Sequence, residues 1–186
     1  SLGGDFFDLV AISDTKCGFF ICDVMGHGVR AGLLTAVIRG VVQESCISAK
    51  DSGKVLSEIN RNLMPIVAGT GQPIFATAFF AIIDTVEKTL TYSNAGHPAP
   101  LLISNSNQTV TRLTVSDPEP ATGLIEDFSY SHQCVAFHAK DTLIGYTDGI
   151  IEASNPQGTQ FSESKLIEIL KKNTALGVSD LPKKVI

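Results

Sequence analysis

Phe19-Phe20-Ile21-Cys22-Asp23-Val24-Met25-Gly26-His27-Gly28 runs directly into a stretch of helical periodicity from Val29 to Glu44. The run from Phe19 to Val24 is apolar except for its aspartate, as in a strand with little solvent on either face, and the two glycines permit a sharp turn. Beyond the turn, Leu33, Leu34, Val37, Ile38, Val41 and Val42 fall at helical spacing, with Arg30, Arg39 and Gln43 off that stripe. A strand therefore ends on a carboxylate and hands over to an amphipathic helix.

Upstream, Phe6 to Ile12 is a second apolar run, and a Ser13-Asp14-Thr15-Lys16 turn joins the two into a hairpin. Downstream, Val55, Leu56, Ile59, Leu63 and Ile66 predict a second helix from about Gly53 to Val67 after a Lys50-Asp51-Ser52 start. Strand signals follow at Thr77 to Ile83, Leu90 to Ser93, Pro100 to Ile103, Val110 to Leu113, Ser129 to Phe137 and Thr142 to Tyr146. A helix near Glu163 to Lys172 and the start of another at Ser179-Asp180-Leu181-Pro182 close the chain. Short hairpin links imply antiparallel pairing, and this order of elements predicts an α+β fold.

The length of 186 residues suits one domain, with one core expected over residues 1–186. Apolar residues make up 44% and charged residues 18%, with no apolar run near the ~20 residues of a membrane helix. Neither a basic leader nor an apolar signal core opens the chain, so a cytoplasmic location without membrane contact is expected. A net charge of −5 with scattered Lys and Arg argues against nucleic acid as a partner. Cys17, Cys22, Cys46 and Cys134 lie in apolar runs at irregular spacing and are expected in the core.

Three aspartates sit beside glycine or at the end of an apolar strand: Gly4-Asp5, Cys22-Asp23-Val24-Met25-Gly26 and Tyr146-Thr147-Asp148-Gly149. Each alone could shape a turn or cap a helix, Asp148 before Gly149 to Ala153 for example. Together they are costly to bury without a common cation. Oxygen ligands without a Cys or His cluster suit Mg²⁺ or Mn²⁺. Asp8, Asp14, Asp84, Asp127 and Asp141 are expected as turn or surface acids, and His27 and His97 as turn and loop residues. Gly26, Gly28 and Gly32 also imitate a dinucleotide-binding turn, against which stand Asp23 and the lack of βαβ alternation.

Four ordered stretches carry a resemblance: Gly3-Gly4-Asp5-Phe6-Phe7-Asp8, Asp23-Val24-Met25-Gly26-His27-Gly28-Val29-Arg30-Ala31, Asn94-Ala95-Gly96-His97-Pro98-Ala99-Pro100 and Tyr146-Thr147-Asp148-Gly149-Ile150-Ile151-Glu152-Ala153. Their order and spacing resemble the bacterial PPM-type serine/threonine phosphatases of the RsbU/SpoIIE branch. The resemblance implies a four-layer α-β-β-α sandwich of two antiparallel sheets flanked by helices. It implies two Mn²⁺ or Mg²⁺ ions, with Asp23 bridging them, the Val24 carbonyl as a backbone ligand, Asp148 holding one ion, and Asp5 binding or orienting metal-bound water. A metal-activated hydroxide would then attack phosphoserine or phosphothreonine directly. It further implies a phosphorylated protein substrate such as an anti-sigma-factor antagonist and an attached sensor or receiver domain, and it leaves room for a homodimer. A strand ahead of Ser1 and a final Asp-Asp-x-Thr strand beyond Ile186 belong to the family pattern, so the single domain is expected to be incomplete at both ends. A catalytically weak or inactive regulatory binding module is the competing expectation.

Overall fold

Alternation of buried and exposed side chains along the opening hairpin sets up the larger of two sheets. The computed structural model describes residues 3–46, 51–70 and 74–185, so Lys50 of the expected helix start lies outside the described residues. Within them the order is β1 (Asp5–Ala11), β2 (Lys16–Val24), α1 (Val29–Cys46), α2 (Ser52–Thr70), β3 (Ala76–Asp84) and β4 (Thr89–Ala95). There follow β5 (Leu101–Ser104), β6 (Thr109–Arg112), β7 (Gln133–Ala136), β8 (Thr142–Ile144), α3 (Asp148–Ile151), α4 (Glu163–Lys172) and α5 (Pro182–Val185). One sheet runs β1-β2-β3-β4-β7 and the other β6-β5-β8, and neighbouring strands in both pair antiparallel. The fold is α+β with two antiparallel sheets and helices, and a parallel dinucleotide-binding sheet is absent among the described residues.

Close contacts divide the chain into two compact units, Ser1–His97 with Val115–Phe137, and Pro98–Thr114 with His138–Ile186. In the first, Phe20, Cys22, Ala78 and Phe80 on one sheet face meet Leu34, Ile38 and Val42 of α1 and Leu56 and Ile59 of α2, all buried. Removing each of the Phe, Leu, Ile and Val side chains among them from water stabilises the fold by roughly 1.5–3 kcal/mol. Ser52 and Ser93 share a buried hydrogen bond of 2.8 Å between α2 and β4. The second unit packs Leu101, Ile103 and Tyr146 against Leu166 and Leu170 of α4 and Leu181.

Several expectations need correction. The strand expected over Ser129 to Phe137 shortens to Gln133–Ala136. Upstream of it, the Tyr130 N–H donates to Ser57 Oγ at 3.1 Å and the Ser131 N–H to Glu119 Oε1 at 2.9 Å, so no ladder partner is needed there. Helix α2 runs on to Thr70 with Pro65 inside it. Cys134 is exposed and Cys17 half-buried, so only Cys22 and Cys46 are core thiols.

Asp8 is not a turn or surface acid, whereas Asp84 is a turn acid that is also paired with a cation. Asp8 lies within β1 and accepts from Arg39 Nε at 3.0 Å, which also takes Arg39 out of a purely solvated role. Asp84, 6% exposed, accepts the Val86 and Glu87 N–H groups at 3.0 Å each and pairs with Lys16 at 3.0 Å.

Candidate metal centre

The β1–β2 register places Asp5 directly opposite Asp23 at the open end of the hairpin. The Val24 N–H donates to the Gly4 carbonyl at 3.2 Å. Because bonded and non-bonded pairs alternate along an antiparallel ladder, Asp5 and Asp23 form the more closely spaced, non-hydrogen-bonded type. Opposed residues project from the same face with Cβ atoms about 4.5–5.5 Å apart, where two like charges destabilise each other. Asp23 is half-buried and Asp5 exposed. Burial pushes the intervening Cys22 thiol well above its usual range, and the negative charges of Asp23 and then Asp5 push it further.

Gly4 cannot carry a side chain, because a Cβ there would run into the Val24 carbonyl oxygen. The glycine thus lets the Val24 backbone close onto β1. After Val24, Gly26 (φ 95°) and Gly28 (φ 89°) take left-handed conformations that turn the chain into α1. His27, between them, is exposed.

Asp23 also faces Thr77 across the β2–β3 ladder, so Asp5, Asp23 and Thr77 form one cross-strand row. The Thr77 hydroxyl and His97 Nδ1 share a hydrogen bond of 2.9 Å. His97 is 5% exposed, and the Asn94 side chain brackets its backbone. Asn94 Nδ2 donates to the His97 carbonyl at 2.9 Å, and the His97 N–H donates to Asn94 Oδ1 at 2.8 Å.

Asp148 lies in the second unit, exposed at the first position of α3, whose N-cap is Thr147 with no side-chain cap hydrogen bond. Asp148 is therefore not the cap, although a carboxylate in the first turn suits the positive end of a helix. Just upstream, the buried Tyr146 hydroxyl lies 2.6 Å from Glu163 Oε1 and 3.1 Å from the Ala99 carbonyl, and Arg112 Nε pairs with the same Glu163 oxygen at 3.1 Å. Burial and then Glu163 hold the Tyr146 hydroxyl protonated well above its usual range.

Among the described residues, no group of three or more His, Cys, Asp or Glu side chains is gathered so as to hold a metal ion. Asp5 and Asp23 are brought together, and Asp148 lies in the other compact unit. The opposed carboxylates fit a hard cation, which prefers oxygen donors and would neutralise the repulsion of the pair. Sequence reasoning missed Thr77, since nothing but the strand register marks it. It reached His97 only through the local Asn94-to-His97 motif.

The family model described as Stage II sporulation protein E (SpoIIE) matches residues 13–186. The chain belongs to the SpoIIE family. It is 26% identical over 186 residues to the phosphoserine phosphatase RsbP of Bacillus subtilis, covering 100% of this chain and 44% of RsbP. The chain thus spans less than half the length of that curated relative. Among solved structures it is similar to the RsbU and RsbW domains of Rv1364c from Mycobacterium tuberculosis, with TM-score 0.80 and 21% identity over 100% of this chain and 50% of that one. It is also similar to RsbX in complex with magnesium, with TM-score 0.72 and 19% identity over 100% of this chain and 79% of that one. These likenesses establish that the two antiparallel sheets with their helices are the fold of this phosphatase group.

Proposed function

We propose that residues 1–186 belong to one metal-dependent protein serine/threonine phosphatase domain, with both compact units contributing to it. The observation that carries this reading is the direct opposition of Asp5 and Asp23, two carboxylates that a cation would stabilise. Membership of the SpoIIE family and similarity to a phosphoserine phosphatase support it. A magnesium complex of a protein with the same fold supports Mg²⁺ or Mn²⁺ as cofactor.

In this reading Asp23 holds both of two ions, the Val24 carbonyl is a backbone ligand, Asp5 orients water at the site, and Asp148 holds one ion. When bound, the ions supply the positive charge that an acidic chain lacks for an anionic ester, together with a water acidified enough to act as nucleophile. The chain's own part is geometric. The Gly4–Val24 closure sets the carbonyl, and the hairpin register fixes the spacing of the carboxylates.

The substrate is a phosphoserine or phosphothreonine protein, such as an anti-sigma-factor antagonist in a bacterial stress pathway, acted on in the cytoplasm. Among the described residues no helix is long and apolar enough to cross a membrane. Because the chain covers 44% of RsbP, a sensor or receiver domain in the whole protein is part of the proposal. Phosphate release from a phosphoserine peptide, with Mn²⁺ added and then chelated, tests the reading: turnover should require the metal and vanish in Asp23→Asn with the fold intact.

A regulatory binding module is the second reading. Two tight Mn²⁺ sites by calorimetric titration support the enzyme, and one weak site or none supports the module.

A further inference from the structure

Asp5, Asp23 and Thr77 line up across three adjacent strands on one sheet face. Thr77 is half-buried, and its hydroxyl is held 2.9 Å from the Nδ1 of His97, a ring only 5% exposed. We propose that His97, acting through the Thr77 hydroxyl, is a positioning residue that fixes the orientation of the Asp23 carboxylate. The inference rests on the metal-site reading of Asp23.

A hydroxyl between an imidazole and a carboxylate has one proton to give. If Nδ1 accepted it, the Thr77 oxygen would turn only lone pairs toward a negative neighbour. If Nδ1–H donates, the Thr77 O–H is free to turn toward Asp23, and a carboxylate favours that arrangement. The expected direction is therefore His97 Nδ1–H to Thr77 Oγ1, and Thr77 O–H toward Asp23.

The loop holds the His97 backbone in place. Asn94 fixes the His97 backbone through two hydrogen bonds of 2.8 and 2.9 Å. Gly96 supplies the left-handed turn before it (φ 68°), where a Cβ would lie 3.3 Å from the Ala121 N. An Ala78–Gly96 bridge ties the turn to β3, next to Thr77. A histidine kept merely for loop shape needs the backbone clamp and not the side-chain bond to the residue facing Asp23.

Residues that orient a metal ligand typically change metal affinity 10- to 100-fold when removed. The test is calorimetric Mn²⁺ titration of the protein, of four single variants and of one double variant, each with its thermal midpoint recorded. Thr77→Val keeps the shape without the hydroxyl, and Thr77→Ser keeps the hydroxyl. His97→Ala removes the ring, and His97→Asn retains a nitrogen donor near the Nδ1 position. The expected result is Mn²⁺ affinity weakened about 10- to 100-fold in Thr77→Val and His97→Ala, with the Ser and Asn variants within about threefold of the parent. The double variant Thr77→Val/His97→Ala should be no weaker than either single one, since the two act as a unit. Parental affinity in a folded Thr77→Val overturns the inference alone. An unmodified protein that takes up no Mn²⁺ overturns the metal-site reading and this inference with it.

Discussion

Asp23 stands opposite a like charge on one side, Asp5, and a threonine on the other, Thr77. Like charges opposed across a ladder cost stability, and in the proposed reading a bound cation offsets that cost. Asp23→Asn should therefore raise the thermal midpoint slightly in chelator while weakening Mn²⁺ binding by more than about a hundredfold, the upper range for residues that only support a ligand. Scanning calorimetry with and without Mn²⁺ reads both effects. Gly4→Ala acts on the backbone instead, since its Cβ meets the Val24 carbonyl. It should destabilise the fold by about 1–3 kcal/mol, as overpacking does, and a denaturant unfolding curve would show it. At this scale the sequence was informative where a residue's local context is unusual: Asp5 and Asp23 each stand out at a strand end. Thr77 was illegible, because its role comes from cross-strand register rather than from any neighbour in the chain.

Buried polar side chains lock helices and turns to the sheets, and they carry the next expectations. Asn60 of α2 is 1% exposed; its Nδ2 donates to the Ile125 carbonyl at 2.8 Å, and its Oδ1 accepts the Gly123 N–H at 2.7 Å. Asn60→Ala would leave both backbone groups unpaired, at a cost of roughly 1–3 kcal/mol for each that stays dry, measurable by urea unfolding. In the β3–β4 turn, the Glu87 N–H, then the Lys16 side chain and the Val86 N–H hold the Asp84 carboxyl below its usual value. A depressed folded-state value means stabilisation that is present above the unfolded carboxylate range, near pH 4, and is lost as pH falls through the folded value. The thermal midpoints of the parent and Asp84→Asn should therefore differ at pH 7 and converge as the pH drops below about 4. Most elements could be read from hydrophobic period, α1 and α4 within a residue or two. The overlong expectation for β7 arose because periodicity cannot show that the Tyr130 and Ser131 N–H groups bond to Ser57 and Glu119 instead of a strand. Asp8 was misread for a related reason, its cation partner lying 31 positions away along the chain.

For the molecule as a whole, element order already contained the class of fold: a hairpin, two helices, a run of short strands and closing helices make two antiparallel sheets with helices. The four motifs carried the family through their order, which no single aspartate could do. What the order could not supply is the pairing of Asp5 with Asp23, which comes from the hairpin register. If the site binds metal in the native state alone, Mn²⁺ at about 100 times its dissociation constant should add roughly 2.7 kcal/mol to stability, and chelation should remove it. The central claim is tested most directly by the rate of phosphate release from a phosphoserine protein by the full-length protein, with Mn²⁺ and with chelator, for the parent and for Asp23→Asn. Turnover that needs Mn²⁺ and disappears in Asp23→Asn is the predicted result. Turnover that persists in chelator, or that Asp23→Asn leaves unchanged, would contradict the account.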